Sequence, residues 1–278
     1  MKEVHKLIEQ ALVEDIGNGD HSSLACVPKN KVGKAQLLVK DNGIIAGLEI
    51  TKIVFEKVDP NCQIHFLIKD GDTIKPGDIA FTVEGSMQSI LRAERLSLNI
   101  LQRMSGVASH TARLTNLLKG LKTKILDTRK TTPNFRVFEK LAVKIGGGEN
   151  HRFGLYDMIM LKDNHIDYAG GINVAIKKTH EYLKKNNLNL KIEVEARDLK
   201  EVNEILSSKK VDRIMLDNFN YEDLKTAVAL INKRSETEAS GGITEKTIRK
   251  YAECGVDFIS VGALTHQIKS LDLSLKAI

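Results

Sequence analysis

The sequence predicts an α/β protein: an incomplete, TIM-like βα barrel joined to an N-terminal α+β domain with the texture of a hammerhead-like sandwich. Three observations carry this reading. First, six segments of the C-terminal half run apolar and stop on a polar residue or glycine: 124–127 (KILD), 158–162 (MIMLK), 191–195 (KIEVE), 213–217 (RIMLD), 237–240 (TEAS) and 258–262 (FISVG). Second, the stretches between the later ones have helical periodicity, as in Val174-Ala175-Ile176 to Tyr182-Leu183 and Val202 to Ile205-Leu206. Such helices return the chain for another parallel strand. Third, the first hundred residues mix short strands with helices and lack that alternation. In βα barrels the strand C-terminal ends and the loops after them carry the chemistry. That rule alone nominates Asp127, Arg129, Lys162, Glu195, Asp217, Ser240 and Gly262.

The N-terminal domain opens with a charged amphipathic helix, MKEVHKLIEQALVED. Strand-like runs follow at 35–40 (AQLLVK) and 43–46 (GIIA), joined by the turn Asp41-Asn42, then a helix at 49–58. The stretch 69–79, KDGDTIKPGDI, resembles the hammerhead turns of biotinyl and lipoyl carrier modules. No modifiable lysine sits on a tight hairpin between small or apolar residues, which argues against carriage. A long helical pattern from Ser89 to about Leu118 links the two halves, with an interruption expected near Ser105-Gly106. The domain boundary is placed there: residues 1–106 form the N-terminal domain, joined by 268–278, and 107–267 form the barrel. The last segment, 270–278 (SLDLSLKAI), alternates apolar and polar residues and is expected to pack on the N-terminal domain.

At 278 residues with 42% hydrophobic content, the chain can build a substantial core. No run approaches the roughly 18 apolar residues needed to cross a bilayer, and the N-terminus lacks the apolar centre of a signal peptide. Cys26, Cys62 and Cys254 are odd in number and far apart, which fits neither a disulfide framework nor a zinc site. They are read as packing residues in a reducing, cytoplasmic setting. The 42 Lys and Arg exceed the 36 Asp and Glu by six. Lys177-Lys178 and Lys184-Lys185 lie on helix faces, there is no Trp, and aromatic interleaving is sparse, so nucleic acid is disfavoured as a partner. Arg129-Lys130, His151-Arg152 and Lys162 instead stand beside predicted strand ends, which suits a small polyanionic substrate.

Read in order, the charged motifs are DTRKTTP (127–133), GGGENHR (146–152), LKDNH (161–165), EVE (193–195), LDNF (216–219) and EASGGI (238–243). EDIGNGD (14–20), Glu94-Arg95 and QRMSG (102–106) complete the set. This order and spacing resembles the quinolinate phosphoribosyltransferases over nearly the whole chain. Two departures, Asn134 after the proline and Ser22 where Thr is usual, touch no charge.

The resemblance implies transfer of a phosphoribosyl group from phosphoribosyl diphosphate to quinolinate, giving nicotinate mononucleotide, carbon dioxide and diphosphate, in de novo NAD synthesis. It implies Mg²⁺ as cofactor and at least a homodimer, with Arg95 reaching the neighbouring subunit's site. It assigns quinolinate's two carboxylates to Arg129, His151, Arg152, Lys162 and Arg95. Guanidinium groups suit that task because they bind carboxylates bidentately. Glu195 and Asp217, both at strand ends, are the candidate Mg²⁺ ligands, since hard oxygen donors suit this ion and one or two carboxylates suffice. Lys130 and Lys162 add charge on the diphosphate. The ribose 5-phosphate falls to Ser240, Gly241, Gly242, Gly262 and Ala263, near the last two strands, with a helix expected from Thr244 supplying partial positive charge. Glu193 shares the face of Glu195 and is a second possible ligand. Gly146-Gly147-Gly148 reads equally as a flexible loop or a plain connector. His165 reads as a residue behind the site, and His266 as one to test after the phosphate loop. Two rivals remain open: a paralogous phosphoribosyltransferase acting on another pyridine or related acceptor, and a non-catalytic sensor of the same ligands. The complete carboxylate-binding set disfavours the first, and retention of both metal acids the second.

Overall fold

The computed structural model of the protein describes residues 2–278. The first elements are α1 (Lys2–Ile16), α2 (His21–Cys26), β1 (Val32–Val39), β2 (Gly43–Ile44), α3 (Leu48–Val58), β3 (Gln63–Phe66), β4 (Thr73–Ile74), β5 (Ile79–Ser86) and α4 (Met87–Leu117). Then come β6 (Lys124–Leu126), α5 (Arg136–Ile145), β7 (Ile159–Leu161), α6 (Asp163–Ala169), α7 (Ile172–Lys185), β8 (Ile192–Ala196), α8 (Leu199–Ser207) and β9 (Arg213–Asp217). The last are α9 (Tyr221–Ile231), β10 (Glu236–Ser240), α10 (Ile248–Ala252), β11 (Phe258–Ser260), α11 (Ala263–His266) and β12 (Leu273–Ala277).

Two compact units result. One comprises the chain up to Ala112, Thr131–Gly147 and Ala263–Ile278; the other comprises Arg113–Lys130 and Gly148–Gly262. The sequence reading gave all of 107–267 to the barrel, whereas 107–112, 131–147, with α5, and 263–267 group with the N-terminal unit. The reason is a buried charge. Glu139 of α5 is fully buried and receives Arg103 of α4 through both Nε (3.0 Å) and Nη2 (2.7 Å). Thr132 adds its backbone N–H (3.1 Å) and hydroxyl (3.0 Å) to the same carboxylate. Arg103 also donates to the carbonyls of Thr265 and Ile268. A buried carboxylate needs such partners, and these tie α4, α5 and the C-terminal segment together.

In the N-terminal unit an antiparallel sheet runs in the order β12-β1-β5-β3, with β12 closing one edge against β1. The alternation read at 270–278 is visible here: Leu273 and Leu275 are buried. The hammerhead-like stretch is a doubled turn. Asp72 accepts from the Lys69 N–H (3.0 Å) and Asp78 from the Lys75 N–H (2.9 Å), and each turn has a glycine at positive φ, Gly71 and Gly77. The interruption expected in the linking helix is absent, since α4 is continuous over 31 residues. Ser105 and Gly106 mark a close approach instead. Ser105 Oγ accepts from the Ala46 N–H at 3.0 Å, and a Cβ on Gly106 would stand 2.4 Å from the Lys269 carbonyl oxygen. Gly146 is likewise a packing residue, because a Cβ there would meet the Ala108 carbonyl at 2.4 Å. Of the cysteines only Cys254 is buried; Cys26 is exposed and its thiol donates to Ser22 O, so packing is not its role.

The second unit is a six-stranded parallel sheet, ordered β6-β11-β10-β9-β8-β7, open between β6 and β7. All six apolar segments of the sequence reading are its strands. Glu149 adds a single parallel bridge to Leu126 outside β6. From there to β8 is five strand spacings, about 24 Å if the sheet were flat. Yet His151, two residues on, meets Glu193 of β8 and Glu238 of β10, which requires the sheet to curl into an open barrel. Paired positions then separate cleanly. Ile125, Leu161, Val194, Ile214, Leu216, Ala239 and Ile259 share one face, and Met160, Glu193, Glu195, Arg213, Met215, Asp217, Glu238 and Ser240 line the other.

Candidate active site

The concave face of the barrel has a floor and a rim. On the floor, Glu193 and Glu238 are fully buried, and one carboxylate oxygen of each lies 3.0 and 3.3 Å from His151 Nε2. Arg213 meets Glu238 and Glu236, each at 3.0 Å, and lies over the Phe258 ring. Met158, Met160 and Met215 pack together on the apolar side of the same interior. Burial, and then the neighbouring Glu238 charge, push the Glu193 carboxyl above the ordinary range. Against its own burial, hydrogen bonds from His151 and Ser260 and the Arg213 charge hold Glu238 below that range. Glu193 therefore holds its proton more readily than Glu238.

The ring of His151 sits between opposing influences. Burial lowers its pKa, but the two glutamates raise it, to about 9. At Nδ1, however, the ring accepts the Arg152 N–H at 2.6 Å, which leaves no room for a second ring proton. The contact decides: His151 is assigned the neutral form protonated at Nε2, on the side of the two carboxylates. The sequence reading gave His151 to a substrate carboxylate. The structure closes Nδ1 on the Arg152 N–H and turns Nε2 toward the two buried carboxylates.

The rim holds the other candidates. Lys162 follows β7, and its Nζ reaches Glu195 Oε2 at 3.1 Å. Its backbone N–H donates to His165 Nδ1 at the start of α6, the local role of that histidine. Glu195 is 7% exposed, two residues above Glu193 on β8. On β9, Met215 is level with Glu195, so Asp217 stands one pleat higher on the same face. Asp217 is level with Ser240 of β10. Asn218, at φ +58°, donates its amide to Asp217 (2.6 Å) and its N–H to Ser240 O (2.9 Å). Gly241 has φ +97°, and a Cβ there would lie 2.2 Å from Asn218 Oδ1, so glycine is required to lace the two strand ends. The helix expected at Thr244 begins only at Ile248 and has five residues. The Thr247 hydroxyl takes the Thr244 N–H at 2.9 Å, making a turn of that stretch. Gly262 follows β11.

Arg129 and Lys130 are exposed just after β6, and Arg152 is half-buried with Nη1 donating to Met158 O at 3.2 Å. Burial foremost, then the neighbouring Arg129 cation, pushes the Arg152 guanidinium below its ordinary value. Two guanidiniums that disfavour each other are relieved by an anion between them. Arg95, exposed on α4, Ala263, the first residue of α11, and His266, also exposed, belong to the N-terminal unit. Sequence reading gave no role to Glu238, Arg213 or the Arg103–Glu139 pair. The alternation Glu236-Thr237-Glu238-Ala239-Ser240 places Glu238 below Ser240 on one face, a signal that was available for the first of these.

An open βα barrel whose strand ends carry arginines, an acid–lysine pair and glycine turns defines a barrel site of the class suited to small anionic substrates. Comparison with known proteins makes the class particular. The chain belongs to the quinolinate phosphoribosyltransferase family: the model "Quinolinate phosphoribosyl transferase, N-terminal domain" matches residues 20–105 and the C-terminal domain model residues 107–276. It is 46% identical to the chloroplastic carboxylating nicotinate-nucleotide pyrophosphorylase of Arabidopsis thaliana, over 97% of this chain and 81% of that one. It is 39% identical to the probable carboxylating nicotinate-nucleotide pyrophosphorylase of Bacillus subtilis, over 98% and 93%. The structure of the nicotinate-nucleotide pyrophosphorylase from Francisella tularensis superposes with a TM-score of 0.93 at 39% identity, covering 100% of this chain and 96% of that one. Among the described residues no helix is long and apolar enough to cross a membrane.

Proposed function

We propose that the protein converts quinolinate and phosphoribosyl diphosphate to nicotinate mononucleotide, carbon dioxide and diphosphate, as its family membership supports. One observation carries the site reading: the Arg129 charge acts on the half-buried Arg152 guanidinium, while the Lys162–Glu195 pair and Asp217 occupy adjoining strand ends. Quinolinate's adjacent carboxylates take the two guanidiniums and Lys162. Arg95 of the partner subunit completes that pocket in a homodimer. Glu195 and Asp217 offer hard carboxylate oxygens on adjacent strands, one pleat apart on one face, which fits Mg²⁺, an ion that keeps most of its waters. Bound there, Mg²⁺ supplies charge neutralisation and a template for the diphosphate.

The rest of the chemistry is positioning. Lys130 and Lys162 stabilise negative charge as diphosphate leaves C1 of the ribose. The arginines hold the pyridine nitrogen in line with that carbon, which converts a bimolecular encounter into an oriented one. Gly241, Gly242 and Gly262 allow backbone N–H groups to approach the 5-phosphate. Once the ring nitrogen is alkylated, it accepts the electron pair released as the carboxylate at position 2 departs as carbon dioxide, so no general base is needed. We expect the protein, given quinolinate, phosphoribosyl diphosphate and Mg²⁺, to release carbon dioxide and form nicotinate mononucleotide. Nicotinate should not substitute, because one guanidinium would be left desolvated and unpaired. Equal turnover with nicotinate would refute the assignment.

A further inference from the structure

We propose that Asn218 is a positioning residue for the reaction: its side-chain amide aims the Asp217 carboxylate, and its main chain ties that acid to the Ser240-Gly241-Gly242 loop. The proposal rests on the function proposed above, in which Asp217 helps to hold Mg²⁺ and the diphosphate.

The link from β9 to α9 is residues 218–220, and each of the three has a fixed place. Asn218 takes φ +58° and donates its main-chain N–H to Ser240 O at 2.9 Å. Phe219 is buried, and Asn220 caps α9 by accepting the N–H groups of Glu222 (3.0 Å) and Asp223 (2.9 Å). The Asn218 bond extends the parallel register in which Asp217 pairs with Ser240. The acid at the end of β9 and the glycine loop at the end of β10 are therefore held in one frame.

On that frame the amide meets the acid. Asn218 Nδ2 lies 2.6 Å from Asp217 Oδ2. An amide oxygen at that distance from a carboxylate would be repelled, so the near atom is the nitrogen. The bond takes one carboxylate oxygen and fixes the plane of the group, so that Oδ1 is offered to a ligand in a set direction. Room for the amide is made by the other loop: a Cβ on Gly241 would lie 2.2 Å from Asn218 Oδ1 and 2.5 Å from its Cγ. The residue type follows by elimination. Glycine, asparagine and aspartate are the residues that enter the left-handed region most readily. Glycine has no side chain to donate, and aspartate would set a second negative charge beside the first. Because Asn218 is exposed, its bond to Asp217 competes with water and adds little to folding; what it adds is direction.

Asn218→Gly and Asn218→Asp separate the amide from the turn, because both suit φ +58° and neither keeps the donor. Calorimetric titration of the full chain with diphosphate in the presence of Mg²⁺ should show binding roughly tenfold or more weaker for Asn218→Gly, and weaker still for Asn218→Asp. Quinolinate binding should stay within about threefold of wild type. Thermal unfolding midpoints should stay within about 3 °C. Diphosphate binding equal to wild type in Asn218→Gly would show that the asparagine serves the turn alone, and would overturn the proposal. Equal loss toward quinolinate would overturn it too, as would wild-type protein that does not take up diphosphate with Mg²⁺. Should Asn218→Gly not fold, Asn218→Asp carries the comparison; failure of both to fold would make the role structural and sink the idea. Wild-type protein that binds diphosphate with Mg²⁺ but releases no carbon dioxide from quinolinate would refute the function instead, and the variants would still report on the amide.

Discussion

Glu193 and Glu195 are the same residue type on the same face of one strand, about 6.6 Å apart along it, yet they belong to different regions. Glu193 is sealed in the floor with His151 and Glu238; Glu195 meets the half-exposed Lys162 at the rim. Depth separates the roles. A charge on the floor cannot reach water, so its partners are obligatory and their removal is a stability event. A charge on the rim can be solvated, so its partners are exchangeable for a ligand, and their removal is a binding event.

The largest effect expected from breaking this contrast is on the floor. His151→Phe keeps a flat ring but removes both ring nitrogens from beside two buried acids, and should destabilise the protein by on the order of 3–5 kcal/mol. Urea unfolding measures it, and a midpoint equal to wild type would show that the floor is not a locked network. Next come the rim residues. Arg152→Ala should weaken quinolinate binding by about 2–5 kcal/mol and spare phosphoribosyl diphosphate, while Asp217→Ala should weaken Mg²⁺-dependent diphosphate binding and spare quinolinate. Calorimetric titration of each variant with each ligand checks this, and loss of the same ligand by both would erase the division within the rim. Neither variant should shift the urea midpoint as far as His151→Phe does.

The smallest effect has a sign that sharpens the comparison. Because the folded Glu193 carboxyl is raised above its ordinary value, its contribution is fully present below the ordinary carboxylate range and is lost as pH rises through the raised value. Glu193→Gln cannot ionise, so its stability relative to wild type should improve as pH climbs from about 4.5, the ordinary value, toward neutrality. Thermal unfolding of both proteins across that range gives the difference curve. A difference that does not vary with pH would mean that the Glu193 carboxyl is not held above its ordinary value.

Much of this was legible in the sequence. The six strands were, because each buried run is short, apolar and closed by a polar or glycine residue, and a parallel strand announces itself that way. Lys162, Glu195, Asp217 and Ser240 followed as strand-end residues, since the barrel rule depends on chain direction and needs no contact to be known. The destination of the His151 ring was not legible, because it depends on the curl of the sheet, which brings β8 and β10 to a residue beyond β6. The same holds for α4. Local sequence gives Ser105-Gly106 a breaking tendency, but the Ala46 backbone and the Lys269 carbonyl, distant in sequence, make small residues the ones that fit there. It holds again for Glu139, whose place on an amphipathic helix did not reveal that Arg103 of another helix would neutralise it. Periodicity and chain direction are properties of neighbouring residues, so the sequence determined the elements and which ends of them carry the chemistry. Burial and hydrogen-bond partnership are properties of residues far apart in the chain, so only the tertiary structure decided which charges are locked in the floor and which stand at the rim to meet a ligand.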